Sequence, residues 1–78
     1  DRATAEAERQ HKEMVGKLWD RVNSRIPDRA RAALWPLQKW PELGGMKPIE
    51  FCKDKKSLER CFEVLEQWVK AEQKRGRR

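Results

Sequence analysis

The sequence predicts an all-α fold, a small bundle of three main helices with a short helical turn after a Gly-Gly/Pro connector. Apolar residues recur at three- and four-residue steps in two long segments, prolines and paired glycines fall between them, and no stretch shows strand-like alternation. The 78 residues suffice for one small domain. We expect a long amphipathic helix over residues 1–26, a compact helical domain over 27–73 and a basic tail over 74–78.

The first helix is expected from about Ala3 to Ile26. Its apolar face consists of Met14, Val15, Leu18, Trp19, Val22 and Ile26. The first dozen residues carry only small and polar side chains, so we expect them to project from the domain, and Pro27 ends the helix. The apolar face is wide enough to pair with an identical helix, which predicts a homodimer through Met14, Leu18, Trp19 and Val22.

A second helix is expected from Arg29 to about Trp40, capped by Asp28. Its predicted inward face is Ala30, Ala33, Leu34 and Leu37, with Trp40 as a further candidate. Pro36 lies inside this segment, so the helix is either kinked or divided into two short helices. Trp35, beside that proline, is predicted to be partly exposed.

The connector from Trp40 to Pro48 contains Gly44 and Gly45, which permit positive φ, and Pro48, which suits the first position of a helical turn. We expect it to fold Ile49 and Phe51 back onto the last helix. That helix, capped by Asp54 or Ser57, ends at Gly76. Its apolar stripe is the clearest in the chain: Leu58, Cys61, Phe62, Leu65, Trp68 and Val69. Glu66 and Lys70 stand in the favourable order for an i,i+4 ion pair.

The residue inventory argues against an enzyme, a cofactor and a metal site. The chain has one histidine, His11, on a polar stretch where it is expected to be solvated, and no glycine-rich phosphate loop. Cys52 and Cys61 with one distant histidine cannot supply four zinc ligands. The two cysteines could pair in an oxidising compartment, but buried reduced thiols are the favoured interpretation. No apolar run suits a membrane span or signal peptide, which favours a cytoplasmic location. The start at Asp1 without Met suggests a piece of a longer protein.

The connector carries a family resemblance. The residues Pro41-x-Leu43-Gly44-Gly45-x-x-Pro48-Ile49-Glu50-Phe51, followed by Asp54, Ser57, Leu58, Cys61 and Leu65, resemble the toxin-binding domain of Xre, MbcA and ParS-type bacterial antitoxins over about residues 30–69. Trp35 or Trp40 would stand for the family tryptophan. Met46 and Lys47 replace the Arg-Thr often found there, Cys61 replaces a usual valine, and residues 1–26 lack the preceding helix-turn-helix.

The resemblance implies a cytoplasmic protein that binds and neutralises a toxin enzyme, commonly one that consumes NAD, and often regulates its own gene through DNA. In that family the end of the domain approaches the toxin's active-site entrance. The corresponding partner-binding residues here are Trp68, Lys70, Lys74 and Arg75, with Trp35 as a further anchor. Leu43, Gly44, Gly45 and Pro48 are expected to act as a structural hinge.

Nucleic-acid binding is the alternative. The tail contributes +4 of the net charge of +6, and any exposed tryptophan would be available to stack on a base. The residues this alternative would use are Arg29, Arg31, Lys39, Lys47, Lys53, Lys55, Lys56, Arg77 and Arg78. Acidic and basic residues are interspersed along the first and last helices, which is unlike the basic stripe of a folded nucleic-acid reader. A self-associating structural domain of a replication or phage protein is a third interpretation.

Overall fold

The structure, a computed structural model, describes residues 2–76. Its named elements are all helices or 3₁₀ turns, which confirms the all-α prediction. The helices are α1 (Arg2–Arg25), α2 (Arg29–Leu34), α3 (Pro48–Phe51) and α4 (Lys55–Gly76). Two 3₁₀ turns, Trp35–Leu37 and Pro41–Leu43, lie between α2 and α3. Arg77 and Arg78, which belong to the nucleic-acid alternative, lie outside the described residues.

The two long helices pack side by side and run in the same direction. The Arg21 guanidinium lies 4.4 Å from the centre of the Phe62 ring, and one turn later on both helices Arg25 pairs with Glu66. This parallel arrangement requires the segment between α1 and α4 to return along the bundle. The return segment of α2, the two 3₁₀ turns and α3 closes the core.

The core is formed by residues from every part of that path. Its buried members are Met14, Leu18, Val22, Ile26, Ala32, Trp35, Leu43, Cys52, Leu58, Cys61, Val64, Leu65 and Val69. The predicted apolar faces of α1 and α4 therefore face each other. Of the four residues expected to form a homodimer, Met14, Leu18 and Val22 are buried within their own chain and Trp19 is half-buried.

The N-terminal part of α1 is exposed from residue 2 to residue 10. The protein measures 55 Å in its longest dimension and 23 Å in the next. At the base of this exposed part, His11 Nε2 lies 2.8 Å from the Ile49 carbonyl oxygen, and the ring is half-buried. The expectation that His11 is merely solvated is wrong, because its ring joins α1 to α3.

Pro36 divides the second predicted helix, and the division changes which face is buried. Asp28 caps α2, with Oδ1 accepting from the backbone N–H groups of Ala30 (2.9 Å) and Arg31 (3.3 Å). The core-facing residues are Ala32, Trp35 and Pro36. The predicted inward residues Ala30, Ala33, Leu34 and Leu37 are all exposed instead, so the predicted face was wrong for them. Trp40, the remaining candidate, is half-buried and packs against the core. Trp35 is only 1% exposed, so its predicted partial exposure was wrong too.

The connector is a tight turn held by its own backbone. Gly44 and Gly45 adopt φ of 67° and 79°, both in the left-handed region that residues with a Cβ avoid. The Trp40 carbonyl accepts from the N–H groups of Leu43 (3.0 Å) and Gly45 (2.9 Å). Leu43 and Pro48 on either side are buried, so the turn is anchored at both ends. Of the two apolar residues expected to fold back, Phe51 packs against the core.

Asp54 and Ser57 cap α4 together. Ser57 N–H donates to Asp54 Oδ1 at 2.9 Å, and Asp54 N–H donates to Ser57 Oγ at 3.0 Å, the reciprocal pattern of a capping box. The Ser57 N–H and the Ser57 hydroxyl both donate to the Asp54 carboxylate, which favours its ionised form and lowers the pKa of Asp54. Lys74 and Arg75 form the last turn of α4, so the predicted tail begins inside the helix.

Candidate protein-binding surface

The outer side of α2 and the first 3₁₀ turn carries an apolar stripe that no other part of residues 2–76 covers. We call Ala30, Ala33, Leu34 and Leu37 the α2 stripe. Leu34 is 55% exposed and Leu37 47%. A single exposed leucine is ordinary on a protein surface. Here, two leucines three residues apart share one side of an element whose other side is fully buried.

The local backbone aligns the two leucines. Leu34 is the N-cap of the 3₁₀ turn that contains Leu37. In a 3₁₀ helix, side chains three residues apart eclipse one another. Because Trp35 and Pro36 occupy the core between them, both leucines are directed outwards.

Positive charge borders the α2 stripe. Arg29 and Arg31 flank it on its two sides by helical geometry, and Lys39 follows its C-terminal end. Arg31 Nη1 lies 3.7 Å from Glu72 Oε2, whereas Arg29 and Lys39 take part in none of the ion pairs among residues 2–76. The nearby acid, Asp28, is engaged as the cap of α2.

A groove of about 270 Å³ lies between the α1–α2 corner and the end of α4. We call it the α4 groove. Its apolar lining includes Ile26, Trp68 and Val69, and Arg31 and Glu72 also line it. Arg31 therefore belongs both to the border of the α2 stripe and to the wall of this groove.

Three tryptophans connect the core to the α4 groove. The rings of Trp35 and Trp40 are 5.3 Å apart, and those of Trp40 and Trp68 are 6.5 Å apart in an edge-to-face arrangement. Trp40 Nε1 donates to the Trp35 carbonyl at 3.1 Å, while the buried Trp35 Nε1 has no hydrogen-bond partner. Trp40 and Trp68 are half-buried, which leaves Trp68 accessible from the groove.

The structure does not assemble the predicted partner-binding residues into one surface. Trp35 is in the core, and Trp68 lies in the α4 groove. Arg75 is two helical turns beyond Trp68 on the same face. Lys70 instead lines a shallow depression beside Phe62, and Lys74 lies one turn beyond it on that other face.

The residues of the nucleic-acid alternative are also dispersed. Lys53, Lys55 and Lys56 lie at the beginning of α4, whereas Arg31 reaches Glu72 near its end, about 25 Å away along the helix. Arg31 and Lys47 are paired with carboxylates, Lys47 with Glu50 at 3.8 Å. Lys53, Lys55 and Lys56 therefore lie far from Arg31.

Cys52 and Cys61 are free, and both are completely buried. Burial raises the pKa of each thiol, and that of Cys61 rises to about 12, with the neighbouring Cys52 contributing. Both thiols are therefore protonated at neutral pH and poorly suited to act as nucleophiles.

The spacing of its residues predicts that the α2 stripe faces the core, and the structure shows it exposed. The signal against this was present, because Ala32, Trp35 and Pro36 form a second apolar side of the same segment. The spacing of the leucines favours burial of the α2 stripe. In the structure the opposite side is buried instead, because it carries the larger Trp35 side chain.

No family model, curated protein or solved structure matches the chain. Within residues 2–76, no helix has the length and apolar character needed to cross a membrane.

Proposed function

We propose that this protein is a non-enzymatic helical interaction domain that binds and regulates a partner protein. The observation that carries the proposal is the exposure of Leu34 and Leu37 on the side of the segment opposite the buried Ala32, Trp35 and Pro36. Burying such residues against a partner gains free energy that the isolated chain leaves unused. The adjacent α4 groove offers Trp68, a residue type enriched at interaction hot spots.

The antitoxin-like form of this proposal rests on the resemblance of the connector. Under it, the partner is a toxin enzyme that the domain neutralises in the bacterial cytoplasm, and Trp68 and Arg75 lie on the face that approaches the toxin. The turn at Gly44 and Gly45, anchored by buried Leu43 and Pro48, supports a structural role for these four of the residues that carry the resemblance. Nucleic-acid binding has less support, because its candidate cations are dispersed.

The test is affinity capture from a lysate of the native host, with and without nuclease, using three forms of the chain. The wild-type chain should retain one protein stoichiometrically after nuclease treatment. The double variant Leu34→Ser, Leu37→Ser should lose it. The matched control is Met46→Ser, which changes another exposed apolar residue outside the α2 stripe.

Two results would count against the proposal. If the stripe variant and the control retain the same protein equally, the α2 stripe is not the binding surface. If the captured material is nucleic acid and disappears with nuclease, the basic residues become the site.

A further inference from the structure

We infer that the α2 stripe binds an acidic amphipathic helix of the partner protein. This inference rests on the proposed function and specifies the chemistry of the partner. It follows from the spacing of the stripe, from the charges beside it and from its small size.

The spacing of the stripe suits a helix. Ala30, Ala33, Leu34 and Leu37 fall at i, i+3, i+4 and i+7, the pattern with which one helix packs along another. The two alanines allow close approach of a partner backbone, and the two leucines supply side chains to insert between those of the partner. A partner that binds through the edge strand of a β-sheet would need unpaired backbone groups to hydrogen-bond with. The side of α2 offers none, because its backbone groups are paired within the helix.

The charges select an acidic partner. Arg29 and Arg31 flank the stripe on both sides, and Lys39 follows its end. Arg29 and Lys39 have no ion-pair partner among residues 2–76, so they are available to carboxylates on a docked helix. Glutamates beside the partner's apolar residues would meet these cations, whereas lysines there would be repelled.

A second copy of this chain fits poorly on the same surface. Two α2 stripes facing each other would bring Arg29 and Arg31 of one copy towards those of the other. The stripe also consists of only two leucines and two alanines. The surface of four such residues is far smaller than the roughly 800 Å² that each partner buries in a standard interface between folded proteins. A single helix is an occupant of suitable size and charge.

The experiment uses two synthetic peptides of about 18 residues, long enough to form a helix. Both carry leucines at i, i+3, i+4 and i+7; one has glutamates at the flanking positions and the other has lysines. Fluorescence anisotropy of each labelled peptide is measured against the full chain. We expect the acidic peptide to bind at least about ten times more tightly than the basic one.

Two charge-reversal variants locate the effect. Arg29→Glu with Lys39→Glu leaves the leucines intact and should weaken binding of the acidic peptide about tenfold. Lys55→Glu with Lys56→Glu makes the same change in net charge at the beginning of α4 and should leave that binding unchanged. Leu34→Ser with Leu37→Ser should abolish it.

Several results would overturn the inference. Equal binding of the two peptides would show that charge does not select the partner, and equal losses in both charge variants would show non-specific attraction. If light scattering shows a dimer of the wild-type chain and a monomer of the Leu34→Ser, Leu37→Ser variant, a second copy of the chain occupies the α2 stripe. If neither peptide binds while the native partner is still lost from the stripe variant, the inference fails and the proposed function stands.

Discussion

The guanidinium of Arg25 binds the carboxylate of Glu66 through two hydrogen bonds of 2.8 Å each, joining the end of α1 to the middle of α4. The fork geometry of arginine suits such bidentate pairing. The two side chains are 41% and 35% exposed, so solvent and salt screen their attraction. The pair contributes to the alignment of the two parallel helices near the α4 groove.

A double-mutant cycle should measure this contribution. We expect Arg25→Ala and Glu66→Ala to couple by about 0.5–1 kcal/mol, the usual range for a partly exposed pair with good geometry. Urea unfolding of the four proteins at low and high salt provides the measurement. The coupling should shrink at high salt, and a coupling near zero at low salt would contradict the role assigned to the pair.

Substitutions in the glycine turn should change the stability of the protein through backbone conformation, and the volume of the new side chain should have no effect. A Cβ at Gly44 or Gly45 would meet nothing within 4 Å, but both residues have positive φ. We therefore expect Gly44→Ala and Gly45→Ala each to lower the free energy of unfolding by about 1–2 kcal/mol.

Gly16→Ala is the matched control for this prediction. Gly16 lies within α1, has ordinary φ and also has open space around it, so alanine there should stabilise by about 0.5–1 kcal/mol. Denaturant unfolding of the three variants compares them directly. The same sign of change at all three positions would refute the conformational explanation.

Adjacent residues at the end of α2 should respond to substitution in opposite ways. Trp35 is buried at 1% exposure, so Trp35→Ala should cost about 3–5 kcal/mol, enough to unfold a domain of marginal stability. Leu34→Ser should change stability by no more than about 0.5 kcal/mol, because Leu34 is more than half exposed. Circular dichroism during thermal unfolding distinguishes the two, and comparable losses would show that Leu34 is buried.

The thiol of Cys61 should make the protein less stable in alkali. Burial raises the pKa of Cys61 from 9.0 to about 12, so the folded state holds this proton more tightly than the unfolded state. The resulting stability is fully present below pH 9 and is lost as the pH rises towards 12, at about 1 kcal/mol per pH unit.

The variant Cys61→Ala lacks this thiol but keeps every other titratable group. Comparing it with the wild-type chain therefore isolates the contribution of Cys61 to the pH dependence of stability. The difference in unfolding free energy between the wild-type chain and Cys61→Ala should be constant below pH 9 and should narrow above it. Parallel curves up to pH 12 would show that the thiol is not protected by burial. Measurements under reducing conditions keep both cysteines as thiols.

Short-range pattern was sufficient for much of the fold. The three-to-four spacing from Met14 to Val22 and from Leu58 to Val69 identified both long helices and most of their buried residues, but it missed Val64, which is completely buried. Asp28 was identified as a cap, and Gly44 with Gly45 as a turn, because capping and positive φ depend on a few neighbouring residues.

The α2 segment shows where this approach fails. This short segment has two apolar sides. The spacing of its residues does not predict which of the two sides packs against the rest of the chain. Trp35 is buried because it reaches Trp40 and, through it, Trp68, residues that only the return path of the chain brings close. The exposure of Leu34 and Leu37 follows from that choice, so the candidate site could not be read from the helix alone.

The sequence by itself determined the all-α class, the two long helices, the capped starts and the glycine turn, because each depends on interactions between residues near one another in the chain. Only the tertiary structure decided that α1 and α4 run parallel, that Glu66 pairs with Arg25 rather than Lys70, and that His11 contacts Ile49. Those contacts join residues about forty positions apart, and their partners are set by how the helices pack.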